Sequence, residues 1–205
     1  MKLINTAIAL GIGAATAGGL SLLKVNKDLV IGSTTIVMGA GLMITLKEKN
    51  DLKTKARDYE YFFNRAQDKF ELTDYEEAIL DYNKALELSP SEICLVYSMR
   101  GNAKRNLNDF DGAISDQNKA LDFDPLYADG YFNRGSSKYK MGDFAGAIED
   151  YTQVIKINPK DSDAFFNRAN IKKEIGDMRS ACEDWKRGAE LGDEDAVKLV
   201  QEHCE

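Results

Sequence analysis

The octapeptide FAGAIEDY at residues 144–151 decides the fold, because related octapeptides stand at nearly constant spacing on both sides of it. Each copy has Ala in its fourth place and Asp in its seventh, and consecutive alanines lie 35, 34 and 34 residues apart. The related copies occupy residues 75–82, 110–117 and 178–185. A fixed period of this length is typical of stacked helical repeats, in which each unit buries its apolar face against the next.

Each repeat is predicted to fold as two α-helices, because each copy contains two stretches of apolar residues at helical spacing. The turn between them carries Gly142 and Gly176 in the last two copies, and glycine suits the left-handed residue that ends a helix. Asn108 tolerates that conformation, whereas Thr73 is the exception. An Asp follows in every copy and is expected to cap the second helix. These aspartates are Asp74, Asp109, Asp143 and Asp177.

The pattern resembles the tetratricopeptide repeat (TPR) family, which has aromatic side chains at positions 4 and 24 of its unit and small ones at positions 8 and 20. The residues at position 4 are Phe62, Tyr97, Tyr131 and Phe165. The chain departs from the pattern at Gln117, Val154, Gly188 and Asp193. The resemblance implies an all-α TPR solenoid with a capping helix after it. We place the four helix-turn-helix repeats at 59–92, 94–127, 128–161 and 162–195, and the capping helix and C-terminus at 196–205.

The resemblance also implies a concave groove lined by the first helix of each repeat, at positions 2, 5, 6, 9, 12 and 13. Amide side chains there suit the N–H and C=O groups of an extended peptide, and aromatic side chains offer apolar contact area. The aromatic residues at position 5 are equally compatible with packing between neighbouring helices. The predicted partner-binding residues are Asn64, Gln67, Asn102, Phe132, Asn133, Tyr139, Phe166, Asn167 and Asn170.

A known subclass of the family clamps the C-terminal carboxylates of its partner with lysine and arginine side chains. Counted from the first repeat, the clamp positions hold Phe63, Gln67, Met99, Asp129 and Asn133. Counted from the second repeat, they hold Ser98, Asn102, Asn133, Asp163 and Asn167. Neither set contains a basic residue, so the sequence disfavours a clamp for a terminal carboxylate.

Two charges recur in every copy, an Arg at position 7 and an Asp at position 23. Because they share the same period, we expect them to form a ladder of structural ion pairs between the two helices of each repeat. The pairs are Arg65 with Asp81, Arg100 with Asp116, Arg134 with Asp150, and Arg168 with Asp184. The lysines at position 11 are expected on a solvated face. They are Lys69, Lys104, Lys138 and Lys172.

The first 46 residues contain two uncharged runs, 3–23 and 29–46, separated by a short polar loop. At about 1.5 Å per helical residue, each run approaches the roughly 30 Å of a hydrocarbon core. We therefore predict a transmembrane helical hairpin over 1–46, followed by a charged linker over 47–58. Small residues at Gly11, Ala15 and Gly19 support close packing of its helices. Five cations between residues 47 and 57 favour a cytoplasmic position for the repeats.

The alternative for the N-terminus is a signal peptide, with cleavage after the Ala15-Thr-Ala17 segment, followed by a single anchor. In that case the second run would have to insert for the repeats to stay in the cytoplasm. If it failed to insert, the repeats would be exported.

Composition and motifs predict a protein-binding role and no enzyme. After residue 46 the chain carries 24 Lys and Arg against 33 Asp and Glu, which disfavours nucleic acid. Cys94, Cys182 and Cys204 are expected to be free thiols, and His203 beside Cys204 is too small a set for a metal. No cofactor or small-molecule substrate is expected. We predict a membrane-anchored scaffold that binds a partner protein or peptide in its groove, with assembly of a membrane complex through the hairpin as the alternative.

Overall fold

The computed structural model describes residues 35–38, 42–88 and 93–204, which form two β-strands and nine α-helices. The chain divides into two compact units, Met1–Arg57 and Asp58–Glu205.

The described part of the N-terminal unit begins with an antiparallel pair of strands. Strand β1 is Thr35–Met38 and strand β2 is Leu42–Thr45, with Ile36 opposite Ile44. The predicted transmembrane helix over 29–46 is therefore wrong at these residues. Hydropathy alone does not separate a buried strand from a helix in an apolar run, and β-branched residues favour the strand. The predicted helix over 3–23 lies outside the described residues.

Nine helices follow the strands in the part of the chain that the structure describes. Helix α1 begins at Leu46 and ends at Glu71, so the predicted linker over 47–58 is helical and continuous with the first helix of the first repeat. No helix that the structure describes combines the length and the apolar character that a membrane crossing requires. The other helices are α2 (Tyr75–Glu87), α3 (Ile93–Asn106), α4 (Phe110–Phe123), α5 (Ala128–Lys140), α6 (Phe144–Ile157), α7 (Ser162–Glu174), α8 (Met178–Glu190) and α9 (Glu194–His203).

Each repeat is a helical hairpin: α1 pairs with α2, α3 with α4, α5 with α6, and α7 with α8. Consecutive hairpins stack, because α2 contacts α3, α4 contacts α5 and α6 contacts α7. The predicted four-repeat solenoid is confirmed over this unit. Small residues allow the close approach within a hairpin, as a Cβ added at Gly135 would lie 3.2 Å from Cβ of Asp150. The alanines at the facing position 20 are buried throughout.

The turns between paired helices use the left-handed conformation predicted for them. Gly142 and Gly176 have φ of +81° and +85°, and Asn108 has φ of 62°. Thr73 also adopts φ of 64°, although its β-branched side chain disfavours this region. The first repeat therefore carries backbone strain that the later repeats avoid.

The predicted caps are present in three of the four repeats. Asp109, Asp143 and Asp177 each accept a hydrogen bond from the backbone N–H three residues later. Asp74 occupies the same place before α2 but makes no such side-chain bond. The prediction of a cap in every copy is therefore wrong for the first repeat.

The Arg–Asp ladder is confirmed, and its geometry is bidentate in every repeat. Arg Nη2 lies 2.5 to 2.6 Å from Asp Oδ1, and Arg Nε lies 2.6 to 2.9 Å from Asp Oδ2. Each Asp is almost wholly buried. The lysine at position 11 also reaches this carboxylate, with Nζ–Oδ2 distances of 2.7 to 2.9 Å. The expectation that these lysines lie on a solvated face is wrong, because a buried carboxylate attracts a second cation.

The same arginines join neighbouring repeats. Nη1 of Arg100 donates to Asn83 Oδ1 at 2.6 Å, and Nη1 of Arg134 donates to Asn118 Oδ1 at 2.7 Å. Arg168 donates in the same way to a hydroxyl of α6 at 2.9 Å. Each of these acceptors belongs to the second helix of the preceding repeat. The ladder therefore fixes both the hairpin and the stacking of one hairpin on the next.

Helix α9 covers the end of the solenoid, as predicted, and begins at Glu194 after the cap Asp193. Its Ala196 is buried against a cluster that contains Ala181 and Trp185. Cys182 of α8 and Cys204 form a disulfide, so the prediction that they are free thiols is wrong. They lie 22 residues apart in sequence, and the fold of α9 back onto α8 brings them together. Cys94 is a free cysteine.

Replacing Thr73 with Gly should raise the free energy of unfolding by about 1 kcal/mol, because glycine adopts positive φ without a Cβ clash. The reciprocal control is Gly142→Thr. A Cβ at Gly142 would meet no atom within 4 Å, so that variant should lose stability through backbone strain alone. Urea unfolding measures both, and a loss of stability in Thr73→Gly would contradict the strain at this turn.

Replacing Asp150 with Asn should lower the free energy of unfolding by about 3 kcal/mol, because Arg134 and Lys138 lose their shared carboxylate. The matched control is Glu183→Gln, which removes the partner of Arg179 in an exposed pair. That change should cost less than about 1 kcal/mol. Equal effects of the two substitutions in urea unfolding would show that the ladder does not stabilise the fold.

Candidate functional site

The candidate site is the groove face, which we define as positions 2, 5, 6, 9, 12 and 13 on the first helix of each repeat. Residues at these spacings share one side of a helix. Helices α3 and α5 contact each other directly, so their groove positions belong to one continuous surface. All nine predicted binding residues lie on α1, α3, α5 and α7.

The aromatic residues at position 5 pack inward. The ring of Phe132 meets that of Tyr151 edge-on, with centroids 5.2 Å apart. Phe166 packs against the cluster around Trp185, and Phe63 is buried beside Tyr82. These contacts give the rings a structural role, and a direct role of Phe132 and Phe166 in binding stays a prediction.

The amide side chains of the groove face differ in how far the protein itself uses them. Asn170 Oδ1 accepts from Trp185 Nε1 at 3.1 Å, and Asn167 Nδ2 donates to a carbonyl of its own helix at 2.7 Å. Asn133 Nδ2 donates to Ser98 Oγ of the preceding repeat at 3.4 Å. Asn64 is exposed and Gln67 is half-buried. The first and third repeats therefore keep the most side-chain amide donors and acceptors available to a partner.

The second repeat has an unmatched polar pair at the floor of the groove face. In the third and fourth repeats the side chain at position 9 hydrogen-bonds with the aromatic at position 24, as Ser136 does with Tyr151 at 3.0 Å. The corresponding residues in the second repeat are Asn102 and Gln117. Asn102 Oδ1 and Gln117 Oε1 are both buried, and neither has a hydrogen-bond partner among the described residues.

Tyr139 links the third and fourth repeats. Its hydroxyl donates to Glu174 Oε2 at 2.8 Å, and this hydrogen bond raises the pKa of Tyr139. The ammonium group of Lys140 lies 5.9 Å from the centre of the same ring. The hydroxyl of Tyr139 is therefore already occupied by a neighbouring repeat, and a role of Tyr139 in binding stays a prediction.

Charged side chains recur at the ends of the groove positions. Exposed acids stand at position 2 in three repeats, and those of the third and fourth repeats lie in the first turn of their helices. The three acids are Glu60, Asp129 and Asp163. Cations stand at positions 12 and 13, in the last turn of three first helices: Arg105, Lys140 and Lys173. Asp129, Asp163 and the three cations complement the dipoles of their helices. The acids Glu71 and Glu174 stand at position 13 of the first and fourth repeats, so α3 and α5 are the two helices that present a cation at positions 12 and 13 without an acid.

A cavity of about 330 Å³ opens between the last turns of α3 and α5. Its lining residues are Arg105, Asn106, Asn108, Phe110, Ser136 and Lys140. Neither Arg105 nor Lys140 is among the residues predicted from the sequence. The repeat pattern marks both as groove positions, but it does not tell whether a carboxylate lies beside them.

Residues 42–88 and 93–204 support neither a metal site nor anion binding by the recurring arginines. No group of His, Cys, Asp and Glu there is arranged to hold a metal ion. The recurring arginines at position 7, which could have bound anions, are committed to the ladder.

Comparison with known proteins identifies the repeat unit. Models described as tetratricopeptide repeat match residues 59–92, 128–161 and 150–183, and one described as TPR repeat matches residues 101–142. Together they cover more than half of the chain. No curated protein sequence matches the chain.

Several solved structures share the fold at low sequence identity. The crystal structure of MamA has a TM-score of 0.63 at 23% identity, covering 73% of this chain and 86% of MamA. The first TPR of Spaghetti (RPAP3), bound to the HSP90 peptide SRMEEVD, has a TM-score of 0.52 at 24% identity over 55% of this chain and 91% of that one. The Arabidopsis OM64 TPR domain has a TM-score of 0.56 at 19% identity over 58% and 98%.

Proposed function

Because the chain belongs to the tetratricopeptide repeat family, we propose that its four repeats bind an extended segment of another protein along the groove face. The observation that carries the proposal is the row of half-buried and exposed polar side chains on α1, α3, α5 and α7. Their donors and acceptors match a peptide backbone. The RPAP3 domain, a fold neighbour, was solved with a peptide bound, which supports a peptide as the ligand class.

The partner segment is held along its length and not by its C-terminus. The clamp positions for a terminal carboxylate hold phenylalanine, methionine, amides and acids, as the sequence indicates. In the structure Phe63 is buried and Asp129 is exposed, so these positions offer a terminal carboxylate no cation. A free and an amidated C-terminus should therefore be bound alike.

The proposed anchor is the apolar N-terminus, through which the chain attaches to a membrane. The support is the length of the uncharged run over 3–23 and the cations that follow residue 46. Cytoplasmic repeats are the placement that these cations favour.

The disulfide favours the other placement. Disulfides persist in oxidising compartments and are rare where thiols are kept reduced. A bond between Cys182 and Cys204 therefore supports the alternative in which residues 1–17 act as a signal peptide and the repeats are exported.

Rapid acid quenching of intact cells, followed by alkylation and mass spectrometry, tests the two placements. Export predicts that Cys182 and Cys204 are recovered as a disulfide and that Cys94 is alkylated as the internal control. Cytoplasmic repeats predict alkylation of all three. External protease should degrade the repeats in the first case and spare them in the second.

Replacing Asn133 and Asn167 with Asp should reduce capture of the partner by at least about tenfold, because new carboxylates repel a peptide's carbonyl groups and remove two donors. The control is Gln153→Glu, which adds one such charge on the second helix of the third repeat and is compared with each single Asn→Asp variant. Affinity capture with the full chain measures retention, and thermal unfolding confirms that each variant is folded. Undiminished capture by the double variant would contradict binding at the groove face.

A further inference from the structure

We propose that the cavity between the last turns of α3 and α5 binds an acidic side chain of the partner segment, with Arg105 as its main anchor and Lys140 as a second cation. This proposal rests on the proposed function, since the acidic group is supplied by the segment that occupies the groove face. The partner segment must therefore carry an Asp or Glu side chain at the place that faces the cavity.

Arg105 differs from the other arginines of the described repeats because it has no carboxylate partner there. Four arginines belong to the ladder, and Arg179 and Arg187 pair with Glu183 and Glu190. Arg105 makes no ion pair and no side-chain hydrogen bond with any residue that the structure describes between Asp58 and Cys204. Its five N–H donors are therefore available to a ligand.

Arg105 is also partly withdrawn from water. It is half-buried, and this burial lowers its pKa, with the nearby hydroxyl of Tyr151 acting in the opposite direction. An arginine stays charged at neutral pH, so the folded protein holds a partly desolvated cation with no counter-charge among the described residues. Such a charge is unfavourable unless an anion compensates it. A bound carboxylate provides that compensation and accepts two parallel hydrogen bonds from the guanidinium group.

The rest of the cavity suits a carboxylate. Its lining contains two cations, two amides and a hydroxyl, and none of the lining residues is acidic. Lys140 is exposed at its rim, where it can approach a ligand without first breaking an ion pair with a described residue. The cavity therefore concentrates positive charge within a chain whose net charge is −7.

The position of the cavity fits a side chain of a peptide in the groove. Asn102 and Ser136 stand at position 9, one helical turn before Arg105 and Lys140. Three residues of helix span about 4.5 Å, which a glutamate side chain can reach from a backbone lying over position 9. A peptide backbone over position 9 also passes Asn102, whose buried Oδ1 has no hydrogen-bond partner among the described residues. Free polyanions are disfavoured, because the net charge of the chain is −7 and repels them at long range.

Peptide selection on the full chain tests the proposal. A randomised 12-residue phage library is selected in parallel on the wild type and on Arg105→Gln. We expect wild-type binders to carry an Asp or Glu at a fixed place, and binders of Arg105→Gln to lack it. The strongest acidic peptide and its Glu→Gln or Asp→Asn analogue are then titrated against both proteins.

The wild type should prefer the acidic peptide by about tenfold or more, and this preference should vanish in Arg105→Gln. The control is Arg179→Gln, which removes an equally charged but highly exposed side chain and should keep the full preference. Lys140→Gln should lose part of it.

Two results would overturn the inference and leave the proposed function intact: binders without an acidic residue, or an acidic preference that persists in Arg105→Gln. In both cases Asn133→Asp with Asn167→Asp would still weaken the peptides. If that double variant and Arg105→Gln both bind every selected peptide normally, the binding lies elsewhere and both proposals fail.

Discussion

The buried carboxylate at position 23 of each repeat is the interaction on which the structure depends. It receives two hydrogen bonds from the arginine at position 7 and a third contact from the lysine at position 11. The arginine also lies over the aromatic ring at position 4, as Arg134 does over Tyr131 at 5.3 Å. One guanidinium group thus fixes a carboxylate, a ring and the preceding repeat at once. The small residues at positions 8 and 20 matter because they let the two helices approach closely enough for this contact.

The pair in the first repeat, Arg65 with Asp81, separates the effect of the contact within a repeat from the effect of stacking. No repeat that the structure describes precedes that of Arg65, and Arg65 Nη1 donates instead to the hydroxyl of Tyr61 in its own helix. Its side chain is 40% exposed, against 13 to 20% for the other three arginines. The hydrogen bond from Arg65 still keeps the pKa of the Asp81 carboxyl below its usual range. The contact within a repeat therefore persists without the neighbour, while burial of the arginine comes from stacking.

The ladder also decides which charges remain for binding. Eight cations that look available in the sequence are used inside the repeats, so the groove face keeps few positive charges. Arg105 is one of the few cations that remain on the groove face, because the residue at position 12 takes no part in the ladder. The residues that we propose for binding are those that the repeat pattern leaves free.

The sequence predicted the repeats, their turns and the Arg–Asp pairing because all three recur at one period. Helix-forming and turn-forming signals agree in the second, third and fourth copies, with Thr73 the exception in the first, so local and long-range preferences point to the same fold. The lysine contacts were missed because a charge on a helix does not reveal a buried carboxylate on its neighbour. The Cys182–Cys204 pairing was missed because it depends on how α9 folds back, and α9 has no counterpart in the repeat. The strands at 35–38 and 42–45 are not predicted, because an apolar run fits a membrane helix as well as a strand.

The central claim is that a partner lies along the groove face. Site-specific photo-crosslinking in the native cell tests it most directly, with a photoreactive amino acid placed at exposed residues on opposite sides of the repeats. Asn64 reports on the groove face, and Glu149 reports on the second helix of the third repeat. We expect a discrete crosslinked partner from position 64 and none from position 149. The same partner crosslinked from position 149 and not from position 64 would contradict the claim.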